Sequence, residues 1–315
     1  MLLFLLYISL GLVLLYFGAE GLVRGSSSLA LRLRVSPLVI GLTVVAYGTS
    51  MPEMVVSVKT AITHQGGISI GNVVGSNIFN IALILGISSL IAPLKIKLQV
   101  IRIDTPIMFF TAVLFFLLFR DLTIDRHEGA FFLLLVIVYT YGNFYFSRRA
   151  GKRAETEFSD ALGVAHIKNA WIELAFIIGG LVLLISGANL LVNGSIGVAR
   201  LYKVSEAVIG LTIVAAGTSL PELATSLVAA VRKESDIAVG NIVGSNIFNI
   251  LAILGIAPLI SPIYGEGISM IDIYVMMGVS LLLLPMLRTG FKLSRLEGVF
   301  LLGIYGGYLY YLLSR

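Results

Sequence analysis

The 315-residue chain contains no cysteine, which excludes a disulfide framework, a thiolate metal site and a thiol nucleophile. Charge is scarce too. Asp, Glu, Lys and Arg make up 12% of the residues against 58% hydrophobic ones, where a soluble domain is about a quarter charged. That balance excludes an ordinary soluble fold. Histidine is rare: His64, His127 and His166 fall at predicted span ends or in a polar linker, where they read as solvated rather than metal-bound. No Lys or Arg precedes the apolar run of Met1 to Val23, unlike a secretory signal, so this stretch is expected to be a retained span.

Apolar segments of about 20 residues, long enough to cross a hydrocarbon core as helices, recur throughout. They lie near 2–23, 37–63, 69–92, 101–119 and 128–147, then near 171–193, 205–231, 238–260, 270–288 and 295–313. The predicted fold class is an all-α polytopic membrane protein of ten transmembrane helices. Its first five-helix repeat covers 1–147, a polar linker covers 148–168, and a second five-helix repeat covers 169–315. An odd number of spans per repeat makes the second half enter from the opposite side, giving inverted repeats about an axis in the membrane plane.

The basic residues test that topology. Sixteen (Arg24, Arg32, Arg34, Lys95, Lys97, Arg102, Arg148, Arg149, Lys152, Arg153, Lys168, Arg232, Lys233, Arg288, Lys292 and Arg295) fall on one side, five (Arg120, Arg126, Arg200, Lys203 and Arg315) on the other, and Lys59 within a span. The positive-inside rule then puts the linker in the cytoplasm and both termini outside, in a cell membrane. The formal charge of +5 is thereby spread over loops at the bilayer edge, so nucleic acid is not expected as a partner.

Two pairs of near-copies organise the chain. Gly41-Leu-Thr-Val-Val-Ala-Tyr-Gly-Thr49-Ser50-Met51-Pro52-Glu53 matches Gly210-Leu-Thr-Ile-Val-Ala-Ala-Gly-Thr218-Ser219-Leu220-Pro221-Glu222 at 10 of 13 positions. Residues 71–86, opening Gly71-Asn72-Val-Val-Gly75-Ser76-Asn77-Ile-Phe-Asn80, match 240–255 at 13 of 16. Every pair is offset by 169 residues, too long a period for a solenoid and fitting a duplicated half-protein.

The chemistry lies in what the apolar spans tolerate. Glu53 and Glu222 sit within apolar segments, where a carboxylate costs at least about 2.5–3.5 kcal/mol and normally faces a cavity or a partner. Around each, Gly-Thr-Ser-x-Pro-Glu breaks a helix, since Pro lacks a donor and clashes with the preceding turn. Broken backbone survives in lipid only where it is buried or lines a polar cavity, and matched breaks in two halves point to a transporter's substrate site. The plainer alternative is that Ser50-x-x-Glu53 and Ser219-x-x-Glu222 are capping boxes that restart a helix. Gly71-x-x-x-Gly75 and Gly240-x-x-x-Gly244 are expected to allow close helix packing. With no Lys-Ser/Thr after the last glycine, they are not phosphate loops.

The candidate ligands are the carboxylates of Glu53 and Glu222, the hydroxyls of Thr49, Ser50, Ser76, Thr218, Ser219 and Ser245, the amides of Asn80 and Asn249, and freed carbonyls such as those of Ala46 and Ala215. An all-oxygen set suits hard cations such as Ca²⁺ rather than Zn²⁺ or Cu. Two carboxylates balance one Ca²⁺ or two Na⁺, and because burial disfavours their charged form, H⁺ competes for them.

These paired stretches resemble the two α-repeats of the calcium/cation antiporter superfamily, in its prokaryotic sodium/calcium exchanger branch, and the resemblance covers essentially the whole chain. It implies a secondary active antiporter, not an enzyme, with no cofactor and with Ca²⁺ and Na⁺ (or H⁺) as transported substrates. It also implies alternating access, with the first and sixth spans sliding as a pair. Ion contacts implied by the resemblance are Ala46, Thr49, Ser50, Glu53, Ser76 and Asn80, and Ala215, Thr218, Ser219, Glu222, Ser245 and Asn249. Several sodium/calcium exchangers carry Asp where this chain has Asn249, so this site is one potential charge poorer and electroneutral exchange is expected. The expected functional unit is a monomer in the lipid bilayer.

A cation channel could use the same oxygens without alternating access. A membrane hydrolase would need a base and a single site, which two matched half-sites do not provide. Glu20 and Asn189, near the ends of the first and sixth spans, are expected at the membrane interface, with a role as gate or entry residues as the alternative. Glu128 and Glu297 suit helix N-termini, and Trp171 is expected to anchor at the interface.

Overall fold

The computed structural model describes residues 1–161, 167, 169–203, 215–265 and 267–314, leaving aside the side chains of 150–161 and 215. The described chain is helical apart from four two-residue strands. Among the described residues, eight helices are long and apolar enough to cross a membrane, and a bent pair makes a ninth candidate. They are α1 (Leu2–Leu33), the bent pair α2 (Pro37–Thr49) and α3 (Met51–Ile62), α4 (Gly66–Ile91) and α5 (Val100–Asp121), then α6 (Arg126–Ala161) and α7 (Ala170–Leu201). After the short segment Ala215–Gly217 come α8 (Leu220–Val231), α9 (Ser235–Ile260), α10 (Met270–Phe291) and α11 (Arg295–Ser314). The expected span 205–231 is met only by α8, because residues 204–214 lie outside the described ones. The chain is thus a multi-pass membrane protein.

The helices sort by exposure. Most of the apolar stretch in each of α4 and α9 is buried, whereas only a minor part of that in α1, α6, α7 and α11 is. Large apolar side chains such as Leu2, Phe17, Phe110, Tyr141, Trp171 and Tyr310 face outward, the surface a hydrocarbon solvent requires.

Helix α1 runs ten residues beyond the predicted span. Its extension buries Gly25, Ser26, Ser27, Ser28 and Ala30, small and polar residues that lower hydropathy without breaking a helix. There Ser28 donates to the buried Glu173 carboxylate at 2.6 Å and Arg32 to the same group at 3.0 Å. Similarly, the first fourteen residues of the expected linker, 148–161, prolong α6 as helix.

Antiparallel packing of α1 on α7 follows from glycines seven residues apart on each. An added Cβ at Gly11 would meet the Gly187 carbonyl oxygen at 2.8 Å, and one at Gly18 the Gly180 carbonyl oxygen at 2.8 Å. Lipid supplies no hydrophobic drive between helices, so close backbone approach through small residues holds such a pair. Gly18→Ala is therefore expected to lower stability by about 1–3 kcal/mol, whereas Gly179→Ala, which meets nothing within 4 Å, leaves it unchanged. Thermal unfolding in detergent compares the two.

Two strand pairs tie the halves together: β1 (Leu94–Lys95) with β4 (Lys292–Leu293), and β2 (Thr123–Ile124) with β3 (Ile263–Tyr264), both antiparallel. Glu20 bonds Arg24 at 2.6 Å and also Arg232 at the end of α8, joining α1 to that helix. Glu128 and Asp125 exchange backbone-to-carboxylate bonds of 2.9 and 2.8 Å at the start of α6. Glu297 likewise accepts from the Ser294 amide at 2.7 Å, so both acids serve helix N-termini as expected.

Candidate functional site

The first motif bends the chain as its Pro and Gly require. α2 and α3 meet at 46° across Ser50, with Pro52 in the first turn of α3. In the second half, Ser219 precedes α8 with Pro221 in its first turn. Neither serine side chain caps its own helix, so the capping-box alternative fails. The hydroxyls cross over instead. Ser50 Oγ donates to Glu222 Oε1 at 2.8 Å, and Ser219 Oγ donates to Glu53 Oε1 at 2.9 Å. Both glutamates are wholly buried, each in the first turn of a helix whose N-terminal dipole favours a carboxylate.

Three hydrogen-bonded groups, each with members from both halves, contain eleven of the twelve expected ligands. In one, Ser50 holds Glu222, while Thr49 Oγ1 bonds Asn241 Oδ1 at 3.1 Å and Ser245 Oγ bonds the Ala46 carbonyl at 3.4 Å. In its counterpart, Ser219 holds Glu53, Ser76 Oγ lies 3.1 Å from Ser219 Oγ, and Thr218 Oγ1 bonds Asn72 Oδ1 at 3.4 Å. The third is an asparagine quartet: Asn80 Nδ2 donates to Asn246 Oδ1, and Asn249 Nδ2 to Asn77 Oδ1, both at 3.1 Å. Ala215, the twelfth, opens the segment Ala215–Gly217.

The cross-half partners Asn72, Asn241, Asn77 and Asn246 were legible as motif letters but not as supports. Asn72 Nδ2 bonds the Glu53 carbonyl at 3.2 Å and Ser57 Oγ at 3.2 Å; Asn241 Nδ2 bonds the Glu222 carbonyl at 3.3 Å and Ser226 Oγ at 3.0 Å. Each therefore clamps a glutamate's helix from behind. Asn80 and Asn249 both stand within widened π-helical turns, Phe79–Leu85 and Asn249–Ile253, a distortion common at functional sites.

With their donors so arranged, four buried acceptors of this set make no hydrogen bond within the described protein: Glu53 Oε2, Glu222 Oε2, Asn80 Oδ1 and Asn249 Oδ1; elsewhere Asp104 Oδ2 and several serine and threonine hydroxyls are in the same position. Buried polar atoms are otherwise almost always satisfied. The set can bind a hard cation through oxygen. Among the described residues no three acidic, His or Cys side chains converge anywhere, so the two carboxylates carry the negative charge of this cage.

The approaches to the cage are unequal. A cavity of about 460 Å³ is lined by Asn72, Gly75, Ser76, Thr218, Asp272 and Tyr308, among others. An added Cβ at Gly75 would meet nothing within 4 Å, whereas one at Gly244 would lie 2.4 Å from the Leu42 carbonyl oxygen. The matching Asn241, Ser245 and Thr49 are fully buried. Close packing expected of both glycine pairs thus holds for Gly240 and Gly244 and not for Gly71 and Gly75.

Comparison with known proteins places this geometry. The profile of the family described as sodium/calcium exchanger protein matches residues 3–145 and 172–314. The chain belongs to that family. It is similar to the antiporter CaxA of Alkalimonas amylolytica, 39% identical over 98% of each chain, and to the sodium/calcium exchanger MaX1 of Methanosarcina acetivorans, 37% identical over 96% of this chain and 97% of that one. Among solved structures, that of the sodium-calcium exchanger NCX_Mj soaked with zero Na⁺ and Ca²⁺ matches with a TM-score of 0.83 and 33% identity, covering 99% of each chain. As a member of this transporter family the chain is a cation antiporter of the membrane rather than an enzyme.

Proposed function

We propose that this protein exchanges Ca²⁺ for Na⁺ by alternating access at the cage between its halves. The twelve residues from Ala46 to Asn80 and from Ala215 to Asn249 form the ion site, and Ca²⁺ and Na⁺ bind in turn. The observation that carries the reading is the crossed pair of bonds, Ser50 to Glu222 and Ser219 to Glu53. It makes one site from two half-sites and keeps both carboxylates at the centre. The open approach beside Gly75 and the closed one beside Gly244 support a transporter caught facing one side, where a channel would need a continuous path.

On this reading the protein has ten spans in two inverted repeats, 1–147 and 169–315, with the antiparallel α1–α7 pair as the first span of each. The linker 148–168 is cytoplasmic, both termini are outside, the open cavity faces outward and one chain suffices. Two carboxylates neutralise two Na⁺ or one Ca²⁺, so the cycle is electroneutral.

The test is Ca²⁺ uptake into proteoliposomes with Na⁺, K⁺ or H⁺ gradients imposed in turn. Saturable uptake is expected with an outward Na⁺ gradient and not without one. Uptake down a Ca²⁺ gradient alone would mean a channel, and uptake driven only by H⁺ would replace Na⁺ as the coupling ion.

A further inference from the structure

The cavity beside Gly75 carries an acid that the cage does not use. Asp272, in the first turn of α10, lines it together with Asn72, Ser76 and Thr218, and accepts a hydrogen bond from Tyr308 at 3.1 Å. From there the polar lining continues inward: Ser76 reaches Ser219, which holds Glu53. The other half repeats the arrangement more tightly sealed: Asp272 keeps 9% of its surface accessible and Asp104 none. Asp104 accepts from Tyr139 at 3.1 Å, but it is wholly buried and its Oδ2 makes no hydrogen bond within the described protein. Tyr139 and Tyr308 stand 169 residues apart, Asp104 and Asp272 168. A carboxylate sealed in lipid-embedded protein with one oxygen unsatisfied is costly, and packing alone gives no reason to keep it. Exposure in another state of the protein does.

We propose that Asp272 and Asp104 are paired access carboxylates: each receives hydrated cations at the mouth of the cavity open to its own face, and is sealed when the other face opens. The proposal rests on the alternating-access reading above. An anionic group on the wall of a narrow cleft concentrates cations and speeds their arrival at the site behind it. The tyrosine hydroxyl holds the carboxylate of Asp272 at the cavity wall.

Two experiments test it. Because the chain has no cysteine, Asp272→Cys and Asp104→Cys each supply one thiol on a blank background. A charged, membrane-impermeant thiol reagent is expected to label position 272 from the face bearing Tyr264 and position 104 only from the opposite face. Imposed ion gradients that favour one access state should raise one labelling rate and lower the other. Labelling of both from the same face, or of neither, overturns the proposal.

In transport, Asp272→Asn is expected to raise KM for Ca²⁺ about tenfold when the ion enters from the Tyr264 face, with kcat retained. In the reverse direction the same loss appears as a lower kcat at unchanged KM, since the ion now leaves past residue 272. Asp104→Asn should show the mirror pattern, and Asp272→Glu should restore KM. Equal loss of kcat from both faces would mark a structural role and overturn the proposal. Sidedness of labelling does not depend on which ions are coupled, so cysteine variants that label as expected, beside a parent protein that does not exchange Ca²⁺ for Na⁺, would count against the proposed function instead.

Discussion

Glu53→Gln and Glu222→Gln are each expected to abolish Ca²⁺ exchange while leaving the protein folded. Each substitution keeps the Oε1 that accepts from the opposite serine and removes one of the two charges of the cage. At a Ca²⁺–oxygen distance of about 2.4 Å, losing a unit charge forfeits several kcal/mol of attraction even at an effective dielectric of about 20. Every ~1.4 kcal/mol is tenfold in affinity, so apparent Ca²⁺ affinity should fall by about 100-fold or more. Stability moves differently. Neutralising a wholly buried carboxylate removes a desolvation cost, so the ion-free variants should melt no lower than the parent. The parent should gain about 2.7 kcal/mol at Ca²⁺ a hundredfold above its Kd, and at the same Ca²⁺ the variants should gain at most about 0.4 kcal/mol. Thermal shifts with and without Ca²⁺, beside uptake in proteoliposomes, separate the two effects. Full uptake by either variant would remove the carboxylates from the site.

Asn249→Asp is expected to turn a silent cycle into a current-carrying one. The parent cage holds charge −2, which either two Na⁺ or one Ca²⁺ neutralises, so no net charge should move per turnover under a clamped potential. A third carboxylate lets the cage hold a third Na⁺, and three Na⁺ against one Ca²⁺ moves one charge. The same change deletes the donor that Asn249 offers Asn77 Oδ1 and sets two acceptors face to face. Without Na⁺ the variant should therefore lose about 1–3 kcal/mol, and Na⁺ should restore it. A steady current from the parent protein would refute the electroneutral cycle. A variant indifferent to Na⁺ in both assays would refute the charge count.

Much of this site was legible before any coordinates. Glu53 and Glu222 announce themselves because acids are costly in apolar spans, and their Gly-Thr-Ser-x-Pro-Glu surroundings because broken helices are costly in lipid. What escaped did so for identifiable reasons. Ser26, Ser27 and Ser28 look like a loop by hydropathy, yet they are buried inside α1, because small side chains fit a close helix contact and Ser28 finds a distant partner in Glu173. Asp104 and Asp272 lie near the starts of the predicted spans 101–119 and 270–288, where an acid passes for a helix N-terminal residue. The signal that distinguishes them, a tyrosine from the following span, is non-local. The capping box at Ser50 was the local answer, and a stronger distant partner, the Glu222 carboxylate, displaced it.

Composition and the 169-residue duplication alone determined that this chain crosses a membrane many times, comes in two matched halves and carries oxygen-bearing side chains beside two matched helix breaks. Only the tertiary structure decided that each half's serine serves the other half's glutamate, and that the space beside Gly75 is open while that beside Gly244 is filled. Residues 71–86 and 240–255 agree at 13 of 16 positions, so neither stretch carries an instruction to be the open one. Local sequence sets the same chemistry on both sides. Which side is filled and which is open belongs to the packing of the whole molecule.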